Sequence, residues 1–295
     1  MIPTTLIFYF LNGLFYASYL FLVASGLTII LGILNVLNLA HGSFYSFGAY
    51  VAAFIATLFL NNGLPTPSLF MALFMAALLI GLMGSGVEFS LKPLYKRRQE
   101  YQLLFTFALS FIFEDLIKLI WGFNPWTCPN LFAYMGAVNI LGQFYPSYDM
   151  FVIFIGFVSY LFIWFFFYHT RTGNLARAVA FDKEMSSALG VNVSSLYTKI
   201  FFIGAFFAGL GGALILPAIN AIPGMGSDAL GFAFVIIVIG GLGSVKGAFV
   251  GSLIVGMVRA LGIALFPEIE LGLIFTVLVI VLILKPQGLF GKRFE

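Results

Sequence analysis

Few residues of this 295-residue sequence could do chemistry, and several of them sit in apolar company. Glu114, Asp115, Lys118 and Arg259 fall inside long hydrophobic runs, where an ionisable group is costly and marks a functional position by default. Glu114 and Lys118 are four apart in the order that favours a helix ion pair, so mutual neutralisation is their simplest reading. Arg259 has three readings: it holds a substrate carboxylate, it pairs with Asp115 or Glu268, or it snorkels its head group to the outer boundary. Pairing or snorkelling outweighs the substrate role. Asn35, Asn38 and His41 are spaced by three and share one face if a helix continues through them, with Gly42 and Ser43 following. They read equally as the polar lining of a translocation pathway and as interhelical hydrogen bonds, each worth on the order of 1 kcal/mol in a membrane. His41 as a metal ligand ranks far behind, because His169 is the only other histidine, and no metal is expected. One cysteine, Cys128, forms no disulfide within the chain and no thiolate cage. Two distant histidines and one thiol offer no nucleophile and base, so an enzyme embedded in the membrane is a minor alternative. The glycine string Gly241–Lys246 is not a nucleotide loop, because Val245 precedes Lys246 and Gly247 follows it. Gly224, Gly226 and Ala229 mimic a dinucleotide fingerprint without the strand it needs. No cofactor is expected in this chain.

The elements that must position these residues are membrane spans. Hydrophobic residues make up 62% of the sequence, against roughly 45–50% for a soluble domain, and charged ones 8%, against about a quarter. That balance excludes a soluble globule and a disordered chain. A net charge of +3 argues against a nucleic-acid binder. The apolar runs have helix length and lack barrel-like alternation, which predicts an all-α polytopic bundle of eight or nine spans. They lie at about 6–31, 42–60, 68–89, 101–121, 150–168, 198–217, 229–242, 248–266 and 271–284, and the first is read as a retained span rather than a cleaved leader. The seventh and ninth are too short to cross straight, which suggests broken or re-entrant segments. Small residues in steps of four, Gly243, Gly247 and Gly251 and again Gly204, Ala208 and Gly212, predict close helix approach. Aligning Lys246–Phe249 on His41–Phe44 suggests a short parallel repeat of two hairpins.

Basic residues favour the cytoplasmic side, and nine spans put Lys92, Lys96, Arg97, Arg98, Arg171, Arg177, Lys183, Lys199, Lys246, Lys285, Lys292 and Arg293 on one side. The N-terminus is then outside and the C-terminus cytoplasmic, in a multi-pass protein of the cell (inner) membrane. The opposite loops carry Asp149, Asp228, Glu268 and Glu270. The longest polar insertion, residues 171–199, lies inside by this reading. Asn174 is expected to cap one helix over 175–189 that Gly190 stops. Leu175, Val179, Met185 and Leu189 would rest on the bilayer or on neighbouring helices, while Arg177, Asp182 and Glu184 face outward. Such a helix either lies on the membrane without a partner or docks a cytoplasmic protein.

The run Gly26–Ala53 and the run Arg171–Leu214 resemble the permease subunits of branched-chain amino-acid ABC importers. The matching residues are Gly26, Leu27 and Thr28; Asn38, Ala40, His41 and Gly42; Gly48, Ala49 and Tyr50; Thr172, Gly173, Arg177 and Ala178; Asp182, Ala188 and Gly190; Ala208, Gly209 and Gly212; and the closing stretch Gly240–Ala248. The resemblance implies one permease domain over 1–295, with a coupling segment at 171–199. ATPase docking then falls on Thr172, Gly173, Arg177, Ala178, Asp182, Glu184, Ala188 and Gly190. It also implies two cytoplasmic ATPase subunits that bind ATP and Mg, a second homologous permease, and an extracytoplasmic solute-binding protein at the acidic outer face. The permease itself hydrolyses nothing. The aromatic stretch 121–148 matches no family motif. Urea, short amides or small carboxylates are alternative solutes within the family. An ion-coupled secondary transporter is the alternative from another class, and it would need a mid-membrane carboxylate.

Overall fold

The computed structural model describes residues 2–291 and is built almost wholly of helices. In chain order they are α1 (Ile2–Leu34), α2 (His41–Asn61), α3 (Leu69–Leu91), α4 (Gln99–Trp121), α5 (Pro129–Met135), α6 (Ser147–His169), α7 (Arg171–Phe181), α8 (Lys183–Ala188), α9 (Val193–Ile215), α10 (Met225–Gly240), α11 (Val245–Leu265) and α12 (Glu270–Leu284). The predicted spans correspond to α1 to α4, α6 and α9 to α12. Seven of them, counting a run through Lys96 for α3 and one from Pro267 for α12, are long and apolar enough to cross a membrane. The other two differ for separate reasons. Helix α4 carries Glu100, Glu114, Asp115 and Lys118, and α10 has 16 residues, about 24 Å of helix against a hydrocarbon layer of about 30 Å. An all-α polytopic bundle is thus the observed architecture. The aromatic stretch 121–148 adds α5 and a hairpin of β1 (Ala137–Ile140) and β2 (Gln143–Pro146), tied to the α9–α10 loop by paired hydrogen bonds between Trp126 and Ala221.

Helices α1 and α9 form the centre. Helix α1 packs against α11, α9, α6 and α10, and α9 against α3, α1 and α2. Glycines permit this closeness. A Cβ on Gly42 or on Gly226 would run into the other's carbonyl, and one on Gly212 into that of Tyr45. The row Gly204, Ala208 and Gly212 is buried as expected. In the other row Gly243 lies in the turn before α11 with φ +76°, so only Gly247 and Gly251 pack as helix residues. Helix α12 stands at the rim with Ile274 alone buried, and α4 buries only Gln102, Thr106 and Ile117.

Charges sort by end. The cations of Arg177 and Lys246 both lie over the Tyr168 ring, and Lys183 lies over Tyr197. Lys92 sits 3.6 Å from Glu88, which also binds Thr198 near the start of α9. Beyond Lys285 the chain bonds to the end of α10, through Leu289 to Ile239 and Phe290 to Gly240. One end of the bundle is therefore basic. Lys292 and Arg293, expected with this group, lie outside the described residues.

Candidate functional site

Three places gather the polar residues, beginning with a break between α1 and α2. Helix α1 ends at Leu34 instead of continuing, and Asn35 adopts φ +55°. Asn35, Asn38 and His41 therefore do not share a helix face. Residues 35–38 are non-helical and 39–40 form a turn into α2, closed by His41 N on the Asn38 carbonyl, with Val36, Asn38 and Ala40 buried and Asn35 and Leu37 exposed. The stretch climbs back into the bundle, for His41 Nε2 donates to the Val23 carbonyl at 3.0 Å, eleven residues before the end of α1. Helix α2 thus starts at depth, with Gly42 against Gly226. Lys246, by contrast, is exposed at the basic end, so the two hairpins of the proposed repeat start their second helices at different levels. The end of α1 does meet the turn before α11, Gly32 against Gly243.

Non-helical backbone at membrane depth needs partners, and α4 supplies several of them. The Thr106 hydroxyl accepts from Leu39 N and sits 3.2 Å from the Leu37 carbonyl, and the Gln99 amide donates to the Asn35 carbonyl. Asn38 closes the turn with its own Oδ1, which accepts from Ala40 N. Asn38 Nδ2 and His41 Nδ1 are buried and have no hydrogen-bond partner in the described protein. Ser43 is buried beside them.

The second place surrounds Arg259 on α11. Its Nε lies 2.9 Å from Glu270 Oε1, an ion pair without hydrogen-bond alignment, and its Nη1 donates to the Tyr19 hydroxyl at 2.8 Å. The guanidinium is flanked by the Tyr16 and Phe232 rings, with centroids 5.0 and 4.5 Å away. The pairing expectation therefore holds with a different partner, Glu270 rather than Asp115 or Glu268. Asp115 instead joins Glu114 around Lys118, at 3.3 and 3.8 Å.

The third place is the segment at the basic end, and it is two helices rather than one. Thr170, not Asn174, caps α7, its side chain accepting from Gly173 N. Asp182 leaves helical conformation at φ −148° and caps α8 by accepting from Met185 N, so it is a hinge residue rather than a mid-helix charge. Gly190 takes φ +86° at the exit. Gly173 packs against the Phe166 carbonyl, where a Cβ has no room. Thr172 is half-buried, and Ala178, Glu184 and Ala188 are exposed. Arg177 is exposed but engaged, donating to Asn174 Oδ1 at 2.7 Å beneath the Tyr168 ring. Of the apolar residues, Val179 is buried and Leu175 half-buried, whereas Phe181, Met185 and Leu189 are 88%, 58% and 79% exposed.

Sequence reasoning missed Thr106, Gln99, Tyr19 and Glu88, all of which act across long separations on the chain. Thr106, Tyr19 and Glu88 leave only the trace of a polar side chain in an apolar run, and Gln99 is one polar residue among the charges of 96–100. At the other end, burial pushes the Cys128 thiol up, opposed by a backbone hydrogen bond from Leu131. Burial, with Asp149 nearby, also raises the Tyr145 phenol.

Comparisons agree over most of the chain. The high-affinity branched-chain amino acid transport system permease protein LivH of Salmonella typhimurium is 31% identical over 289 residues, which cover 95% of this chain and 94% of that protein. BraD of Pseudomonas aeruginosa, a permease of the same description, is 29% identical over 95% of this chain and 94% of its own. A solved structure, PsaBC from Streptococcus pneumoniae in complex with Fab, shares the fold with a TM-score of 0.50 at 15% identity, over 95% of this chain and 92% of that one. The family model described as branched-chain amino acid transport system / permease component matches residues 9–284, and the chain belongs to that family.

Proposed function

We propose that this permease moves branched-chain amino acids, or a related small solute, inward by alternating access, powered by ATP hydrolysis in two partner ATPases that press on α7 and α8. The basic end then faces the cytoplasm, the N-terminus lies outside, and a second permease and a solute-binding protein complete the importer. The observation that carries the reading is the exposure of Phe181, Met185 and Leu189 on a short two-helix segment beyond the spans. Three large apolar side chains this exposed, in a segment held to the bundle by Val179 and Ala176, suit a protein groove. Buried, unpaired polar atoms at the α1–α2 break favour Asn38, His41, Gly42 and Ser43 as part of the solute's path, with Asn35 at its basic-end mouth. Ion coupling has less support, because Glu88, Glu114, Asp115 and Glu270 each lie beside a cation. The same neighbour leaves Arg259 structural unless a solute carboxylate displaces Glu270.

Purification from the native membrane tests this reading. Two ATPases and a second permease are expected to accompany the chain, with ATP hydrolysis stimulated by the binding protein and by one member of a panel of branched-chain amino acids, urea, amides and small carboxylates. Arg177→Glu and Asp182→Lys are each expected to abolish uptake while leaving membrane insertion intact. Normal uptake in both would remove the docking assignment.

A further inference from the structure

Motion of α7 and α8 reaches the spans through the chain itself and through side chains that join them, and one such set is built around an acid with no exposed surface. Glu88 lies in the last turn of α3. Its Oε2 accepts from the Thr198 hydroxyl on α9 at 2.6 Å, the length of a strong charge-assisted bond, and its Oε1 from the Tyr95 hydroxyl at 3.2 Å. Lys92 stands 3.6 Å away, one turn on. The Tyr95 ring meets Tyr197 edge to face at 5.4 Å, and the ammonium of Lys183, the first residue of α8, lies 5.5 Å from the Tyr197 ring centre. Contacts therefore run without a gap from α8 through Tyr197 and Tyr95 to Glu88, and Glu88 binds α9 again at Thr198. Beside them opens a cleft of about 390 Å³ whose walls include Asn35, Arg97, Phe181 and Lys183.

A buried charge is a poor choice for stability alone, since apolar side chains of similar volume do as well or better. A carboxylate gripping hydroxyls from two other segments does what apolar packing does not, which is to resist sliding. We propose that Glu88 is a positioning residue that locks the end of α3 to the foot of α9, so that a push on α8 turns both helices as one body. This role rests on the import reading above and adds the route by which the push travels.

The test uses the assembled complex in proteoliposomes and reads solute taken up per ATP hydrolysed. Glu88→Ala is expected to lower that ratio roughly tenfold, with subunit stoichiometry and ATP hydrolysis kept within about twofold. Glu88→Gln, whose amide can still serve both hydroxyls, is expected to stay within about twofold of the natural ratio. Should Glu88→Ala fail to assemble, Thr198→Val decides by the same ratio, because it removes one hydroxyl and keeps the side-chain shape. An unchanged ratio in Glu88→Ala or Thr198→Val would overturn the role, as would a loss in Glu88→Gln equal to that in Glu88→Ala. A natural complex that takes up nothing with ATP would instead overturn the import reading, and this role with it.

Discussion

The chain breaks a helix twice where it matters, at 35–40 inside the bundle and at Asp182 beyond it, and the two breaks are mended differently. At Asp182 the side chain of the break residue itself accepts from Met185 N three residues on, and water can reach whatever remains. At 35–40 a local bond is not enough: Asn38 Oδ1 serves Ala40 N, but Leu39 N, where water is scarce, is served by Thr106 of a different helix, and Gln99 of that helix reaches Asn35 at the exposed edge. A break in water is thus a local affair. A break in the bilayer is a contract between two helices, and it gives α4, otherwise mostly exposed, its structural reason to stay beside α2.

Thr106→Val would break that contract most severely. It keeps the side-chain shape while leaving the Leu39 N–H without its acceptor, at a cost of about 1–3 kcal/mol for a buried unsatisfied group. Thermal unfolding in detergent is expected to show this loss, and an unchanged midpoint would mean that the break needs no partner helix. Asp182→Ala comes next. It removes one cap worth about 1 kcal/mol, so hydrogen exchange is expected to quicken in 183–188 while the spans keep their protection. Protection lost throughout the bundle would make the second break as non-local as the first. Gln99→Ala is expected to change stability by less than about 0.5 kcal/mol, because its bond to the Asn35 carbonyl is solvent-exposed. A loss equal to that of Thr106→Val would erase the distinction between the buried and the wet parts of the same clamp.

The same contrast explains what the amino-acid sequence discloses. Nine apolar runs became nine helices, since span length and hydropathy are local properties, and Gly190 as a stop was legible for the same reason. Asp182 misled because its acidic side chain suits a helix face as readily as a cap, and only the backbone at φ −148° decides. The gap between the first two spans was legible at 31–42, but its course was not, because Asn35, Asn38 and His41 at steps of three suit a continuing helix as well as the irregular path they take. Arg259 was expected to pair, but Glu270 was placed in a loop one residue ahead of its helix. Its partnership depends on how the turn after α11 folds back. Thr106 and Glu88 were invisible, because a single hydroxyl or carboxyl in an apolar run says nothing about which segment, some 70 or 110 residues away, it will meet.

The central claim is that energy enters from outside the spans, through α7 and α8. The most direct measurement is solute uptake by the reconstituted complex, with ATP supplied only on the side of the basic end and with proton and sodium gradients collapsed by ionophores. Uptake that requires ATP, ignores the ionophores and disappears in Arg177→Glu is the predicted result. Uptake that persists without ATP and stops when the gradients collapse would contradict the account.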